Sequence, residues 1–196
     1  MISETELDDE QRLYAGYIIE SSGQMGVYIR TLIDISRTVA GYQLGLEEFD
    51  IADYMQQIEA QANSLCLTKE ICLHMETGAD LGTFKADKLL LERAIMNVIG
   101  NALDYSPPKG TVYVEVQKPD DFLQISIIDE GSGFTPEALH HAQDQFFMGN
   151  KSRTSTMHFG MGLYITSSII KQHNGQLILK NSDMTKGAQV ILKIPY

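Results

Sequence analysis

Residues 87–108, DKLLLERAIMNVIGNALDYSPP, decide the fold class. Leu91, Ile95, Val98 and Ala102 recur at helical spacing and form one apolar stripe. The spacing predicts an amphipathic helix from Asp87 to Leu103, stopped by Pro107 and Pro108, whose rings cannot continue it. Two alternating segments follow. Val112, Val114 and Val116 point one way in the first, and Leu123, Ile125 and Ile127 in the second, as in half-buried strands. Downstream, a helix is expected near Pro136 to Ala142. A Gly/Ser/Thr-rich loop follows from Met148 to Phe159, then a helix from Gly162 to His173. Residues 176–181 and 188–194 read as a closing hairpin. Upstream, Asp50 is placed to cap a helix running to Asn63, and residues 69–76 read as a strand. The expected fold is α+β: a two-layer α/β sandwich over residues 45–196, a mixed sheet covered by helices on one face, preceded by a long N-terminal helix.

That helix is expected within residues 1–44. Tyr14, Ile18, Ser21, Met25, Tyr28, Leu32, Ile35 and Val39 alternate in steps of four and three, the seam of a heptad pattern. Gly16, Gly23 and Gly26 weaken it, so the helix needs partners. A narrow seam points to pairing in a dimer; the alternative is a helix folded back on its own domain. Gly41 and Gly45 mark the boundary.

Composition narrows the function. Hydrophobic residues make up 43% of the 196 and charged residues 21%, enough apolar material for a sizeable core. Fifteen Lys and Arg against 26 Asp and Glu leave a formal net charge of −11, which disfavours nucleic acid and anionic lipid as partners. Two cysteines, Cys66 and Cys72, fit a reduced, cytoplasmic protein. No apolar run approaches the ~20 residues that span a bilayer. The acidic first ten residues are the wrong charge for a signal peptide. Cys66, Cys72 and His74 lack a fourth ligand and read as strand and core residues rather than a metal centre.

Three separated segments carry chemistry that fits one ligand. Asn97 and Asn101, four residues apart, share a helix face, where an amide oxygen can meet a hard cation such as Mg²⁺. Asp129-Glu130-Gly131-Ser132-Gly133 ends a hydrophobic strand; its carboxylate can accept from an amino group such as that of adenine, and its glycines admit a flat ring. Gly160-Met161-Gly162-Leu163 opens a helix, where exposed N–H groups favour anions. Between Gln145 and Ser182 there is no Asp or Glu, yet Lys151, Arg153, Lys171 and Lys180 are present, as a triphosphate site would want.

The order Asn97-Val98-Ile99-Gly100-Asn101-Ala102, then Asp129 to Phe134, then Phe146-Phe147, then Gly160 to Leu163, resembles the N, G1, F and G2 boxes of sensor histidine kinases. These belong to the ATPase superfamily that includes gyrase and mismatch-repair proteins. Arg30 to Ser36 resembles the end of the second helix of the family's dimerisation hairpin. The resemblance implies ATP and Mg²⁺ as ligands and transfer of the γ-phosphoryl group to a histidine. It also implies a homodimer through the N-terminal helix, a response regulator as partner, and a cytoplasmic catalytic part of a membrane-anchored parent protein. Asn101 would bind Mg²⁺ and Asn97 would line the phosphates. Asp129 would read the adenine amino group in a pocket shaped by Gly131 and Gly133. Gly160 and Gly162 would hold phosphate oxygens, Leu163 would join them in binding the cofactor, residues 147–159 would form the ATP lid, and Lys151 and Arg153 would stabilise transferring charge.

The chain departs from the family pattern in places. None of His74, His140, His141, His158 and His173 has the setting of the phosphoacceptor, so the chain reads as a piece of a longer kinase. Asp104 and Met148 stand where basic residues are common. Asn97 stands where ATP-hydrolysing relatives carry a Glu, and an amide cannot serve as a general base, so slow hydrolysis is expected. Tyr105 either touches the nucleotide or caps the core. Two rival readings are a serine kinase of the anti-sigma type, which lacks the heptad helix, and a degenerate scaffold without kinase activity.

Overall fold

The computed structural model describes residues 8, 11, 14–16, 43–144 and 162–196. The chain divides into two compact units, Met1–Tyr42 and Gln43–Tyr196. In the first, Gln11 and residues 14–16 are helical. Asp8 accepts the Gln11 N–H at 2.8 Å while the Gln11 side chain accepts the Asp8 N–H at 3.2 Å, a reciprocal cap. The heptad positions from Ile18 to Val39 lie outside the described residues.

The second unit is built from β1 (Leu46–Asp50), α1 (Ile51–Lys69), β2 (Cys72–Thr77), β3 (Thr83–Asp87), α2 (Lys88–Tyr105), β4 (Thr111–Gln117), β5 (Phe122–Ile128), α3 (Pro136–His141), α4 (Gly162–Gln172), β6 (Gln176–Asn181) and β7 (Ala188–Pro195). Five strands form a mixed sheet in the order β2-β4-β5-β7-β6, parallel between β2 and β4 and antiparallel elsewhere. Val114 pairs with Ile127, which pairs with Val190; Val116 pairs with Ile125, which pairs with Leu192. These six are buried and form the layer on which α2 and α4 pack, while α1 lies against β2 and α2. The expected two-layer α+β sandwich is thus observed.

Helix boundaries follow local chemistry. The Asp50 side chain accepts the Asp53 N–H at 3.0 Å, and Asp87 caps α2 through the Leu90 N–H at 3.1 Å. The α1 helix outruns its expected end at Asn63. Cys66 extends the buried row of Tyr54, Met55, Ile58 and Ala62, and the Ser64 and Thr68 hydroxyls bond to carbonyls within the helix. Glu70, at φ 55°, ends it, so the strand expected from 69 begins at Cys72. A two-stranded sheet of β1 and β3 was not expected; its apolar signal is a single pair, Phe49 opposite Phe84.

Asp87 also joins distant elements. Its Oδ2 accepts the Gly45 N–H at 3.0 Å, and its own N–H donates to His173 Nε2 at 3.0 Å. His173 Nδ1 bonds to the Ile169 carbonyl at 2.8 Å, so backbone groups meet both ring nitrogens. The N-terminus of α2 is thereby fixed to the C-terminus of α4, which leaves their other ends to frame one site. Among the described residues, no helix is long and apolar enough to cross a membrane.

Candidate functional site

The site grows from the end of β5. Asp129 is 5% exposed. Its N–H donates to the Ala188 carbonyl at 3.0 Å. Its Oδ1 accepts two backbone N–H groups, from Gly131 at 2.8 Å and Ala188 at 2.9 Å. Among the described residues no bond falls on Oδ2, the oxygen left for an incoming donor. Burial pushes the carboxyl above its ordinary pKa, and the N–H bonds from Ala188 and Gly131 pull it back part of the way.

Residues of the β6–β7 turn, not singled out in the sequence, hold this carboxylate. Thr185 donates its hydroxyl to the Asp129 carbonyl at 2.6 Å and accepts the Gly187 N–H at 3.1 Å. A Cβ at Gly187 would overlap the Asp129 carbonyl oxygen, so only glycine permits this approach. Asn181 pins the next stretch, accepting the Phe134 N–H at 2.6 Å and donating to its carbonyl at 3.0 Å. Gly133, at φ +71°, turns the chain beneath that clamp. Glu130 serves the scaffold: its carboxylate accepts the Thr111 N–H at 3.0 Å and lies 3.4 Å from the Tyr113 hydroxyl. The signal for Asn181, Thr185 and Gly187 was there as a polar turn between two strands, but nothing local said which loop it would brace.

Gly131 joins this end to α2, for a Cβ there would lie 2.6 Å from the Tyr105 carbonyl oxygen. Tyr105 itself is 43% exposed and does not cap the core. One turn back along α2, Asn101 faces the start of α4: a Cβ at Gly162 would sit 3.6 Å from the Asn101 amide nitrogen. One further turn back is Asn97, whose Nδ2 is buried and, among the described residues, has no hydrogen-bond partner. A buried amide donor with no partner is costly, and an anion placed against it removes that cost. Thr166 fixes α4 at this point, donating its hydroxyl to the Gly162 carbonyl at 2.9 Å. Leu163 follows Gly162 in the first turn of α4, half-buried.

Asn97, Asn101, Asp129, Gly131, Gly133, Gly162 and Leu163 therefore lie along one edge, from the β5 end, past the C-terminal turns of α2, to the N-terminus of α4. Gly160, Lys151, Arg153 and the expected lid at 147–159 lie outside the described residues. Lys171 is not gathered there: it stands in the last turn of α4, roughly 13 Å from Gly162 at 1.5 Å rise per residue. Asp104 is engaged by Lys69 of α1 in an ion pair.

The donor set suits a nucleotide and a divalent ion. A buried carboxylate oxygen can read an amino group, an unpartnered amide and a helix N-terminus can meet phosphates, and the Asn101 side chain supplies a neutral oxygen to a hard cation.

The sensor histidine kinase SpaK of Bacillus subtilis is 32% identical over 188 residues, 96% of this chain and 41% of that protein. The nisin biosynthesis sensor protein NisK of Lactococcus lactis is 27% identical over 196 residues, 99% of this chain and 43% of that protein. The chain thus spans less than half the length of these relatives. Full-length ShkA, in complex with AMPPNP, shares the fold at a TM-score of 0.83 and 23% identity, over 99% of this chain and 40% of that one. The catalytic domain of the histidine kinase ThkA does so at 0.68 and 19%, over 78% of this chain and 98% of that one. Residues 86–196 match the model of the histidine kinase-, DNA gyrase B- and HSP90-like ATPases, from the strand before α2 through Asp129 to the closing hairpin, and the chain belongs to that family.

Proposed function

We propose that the chain binds ATP with Mg²⁺ and, as part of a longer sensor kinase, transfers the γ-phosphoryl group to a histidine on a helical hairpin, for onward passage to a response regulator. The observation that carries this reading is the juxtaposition of Gly162, at the N-terminus of α4, with the Asn101 amide. Family membership and relatives that are sensor kinases support it.

Asp129 Oδ2 accepts from the adenine amino group, and the Gly131–Gly133 backbone forms the wall along the ring. Asn97 Nδ2 and the N–H groups of the first α4 turn donate to phosphate oxygens. Asn101 Oδ1 is the oxygen best placed to ligate Mg²⁺, which when bound neutralises charge on the transferring group. Asn97 cannot take a proton from water, so the γ-phosphoryl group is kept for the histidine. Lys151 and Arg153 are the candidates to stabilise its charge. The N-terminal heptad segment would be the second hairpin helix and the dimer contact.

The test is phosphorylation in trans. The chain is mixed with γ-labelled ATP and a separately supplied hairpin bearing the acceptor histidine. Acid-labile label on the hairpin, with slow ATP turnover in its absence, is the expected result. Acid-stable label would identify a serine kinase, and ATP binding without any transfer would leave the scaffold.

A further inference from the structure

Asn97, Asn101 and Asp104 recur in steps of four and three along α2 and so share one stripe of the helix. Two of them belong to the phosphate end of the site. The third is an acid, with its Cβ about 5–6 Å from that of Asn101 in helix geometry. A carboxylate there opposes a polyanion lying along the stripe, and the last turn of α2 holds no basic residue.

The opposing charge comes from another helix. Lys69, the basic residue of the last turn of α1, pairs its ammonium with Asp104 Oδ1. Backbone bonds hold it there: the Glu70 carbonyl accepts the Lys109 N–H at 3.1 Å, and the Gly110 carbonyl accepts the Cys72 N–H at 2.9 Å. The exit from α1 is thus tied to the exit from α2. The two side chains are 36% and 20% exposed, so water screens the pair only in part.

We propose that Lys69 is a positioning residue of the nucleotide site: from α1 it neutralises Asp104 and lets a polyphosphate lie along the Asn97–Asn101 stripe. The inference rests on the nucleotide-binding reading above and adds a residue to it. It predicts dependence on the ligand's charge. Lys69→Met should raise the Kd for ATP about fivefold at low salt, less at high salt, and leave adenosine binding unchanged. Adding Asp104→Asn to that variant should return the ATP Kd to within about twofold of the unaltered chain. The measurement is titration calorimetry with ATP and with adenosine on all three proteins. Unchanged ATP affinity in Lys69→Met, an equal loss for adenosine, or a double variant as weak as the single one would each overturn the proposal. An unaltered chain that binds neither ligand would overturn the nucleotide reading itself, a distinct result.

Discussion

The two ends of the site differ in how their polar groups are satisfied. Around Asp129 every backbone group named above has a partner: Thr185 on the carbonyl, Ala188 on the N–H, Gly131 and Ala188 on Oδ1, Asn181 across Phe134. At the other end, Asn97 Nδ2 is buried and finds no acceptor among the described residues. The base end is built before a ligand arrives, and geometry gives it selectivity. The phosphate end carries an unmet donor in the free protein, so a ligand there gains a bond whose desolvation the fold already bears.

The base end is broken most severely by Asp129→Asn. Asparagine keeps an oxygen for the Gly131 and Ala188 N–H groups and places its NH₂ where Oδ2 was. That donor meets the adenine amino group. ATP affinity should fall roughly 100-fold or more, since a buried donor then faces a donor. Thermal stability should hold or rise, because a desolvated charge is gone. Calorimetry and thermal unfolding on one preparation check both halves. An affinity within about threefold of the unaltered chain would remove Asp129 from base recognition.

How much of this the sequence disclosed follows from the range of the interactions. Period alone placed α2, β4, β5 and the closing hairpin, because each buries one regular face. Asn97, Asn101, Asp129 and Gly162 stood out because motif spacing is local information. What escaped depends on contacts far along the chain. The β1–β3 pair is held by Phe49 against Phe84, 35 residues apart, and its remaining positions are mostly exposed. Asn181 and Thr185 act on Phe134 and Asp129, 47 and 56 positions away. Lys69 reads as the first residue of a strand until the fold ends α1 on it and sets it against Asp104. The end of α1 was misplaced because Cys66, buried in the same row as Ile58 and Ala62, carries the helix past Asn63 to Lys69.

The phosphate end is sharpened by Asn97→Ala. Its amide donor has no bond to lose among the described residues, and alanine is the better helix former, so the free protein should gain about 0.5 kcal/mol. The same change removes a donor from the phosphates and should weaken ATP binding about tenfold. Gain in stability with loss of affinity is the signature of a group kept unsatisfied for a ligand. Denaturant unfolding without nucleotide, paired with a binding titration, reads it. If Asn97→Ala destabilised the free chain by more than about 1 kcal/mol, the amide would be structural and the contrast between the two ends would fail.

The smallest effect is a pH dependence in which the two properties of Asp129 run in opposite directions. Burial raises its pKa in the folded chain, so the folded state holds the proton more readily than the unfolded chain does. The stability owed to this group is therefore full below the unfolded value and lost as pH climbs through the raised one. Recognition goes the other way. Oδ1 already accepts two N–H groups, so the proton goes to Oδ2 and turns the acceptor for the amino group into a donor. Affinity should drop a few-fold as pH falls from about 7 toward the carboxylate range. Adenosine is the ligand to use, since it has no phosphate to titrate, and Asp129→Asn should bind it weakly with no such slope. An identical slope in that variant would assign the titration to another group and leave the Asp129 carboxyl as scaffold alone.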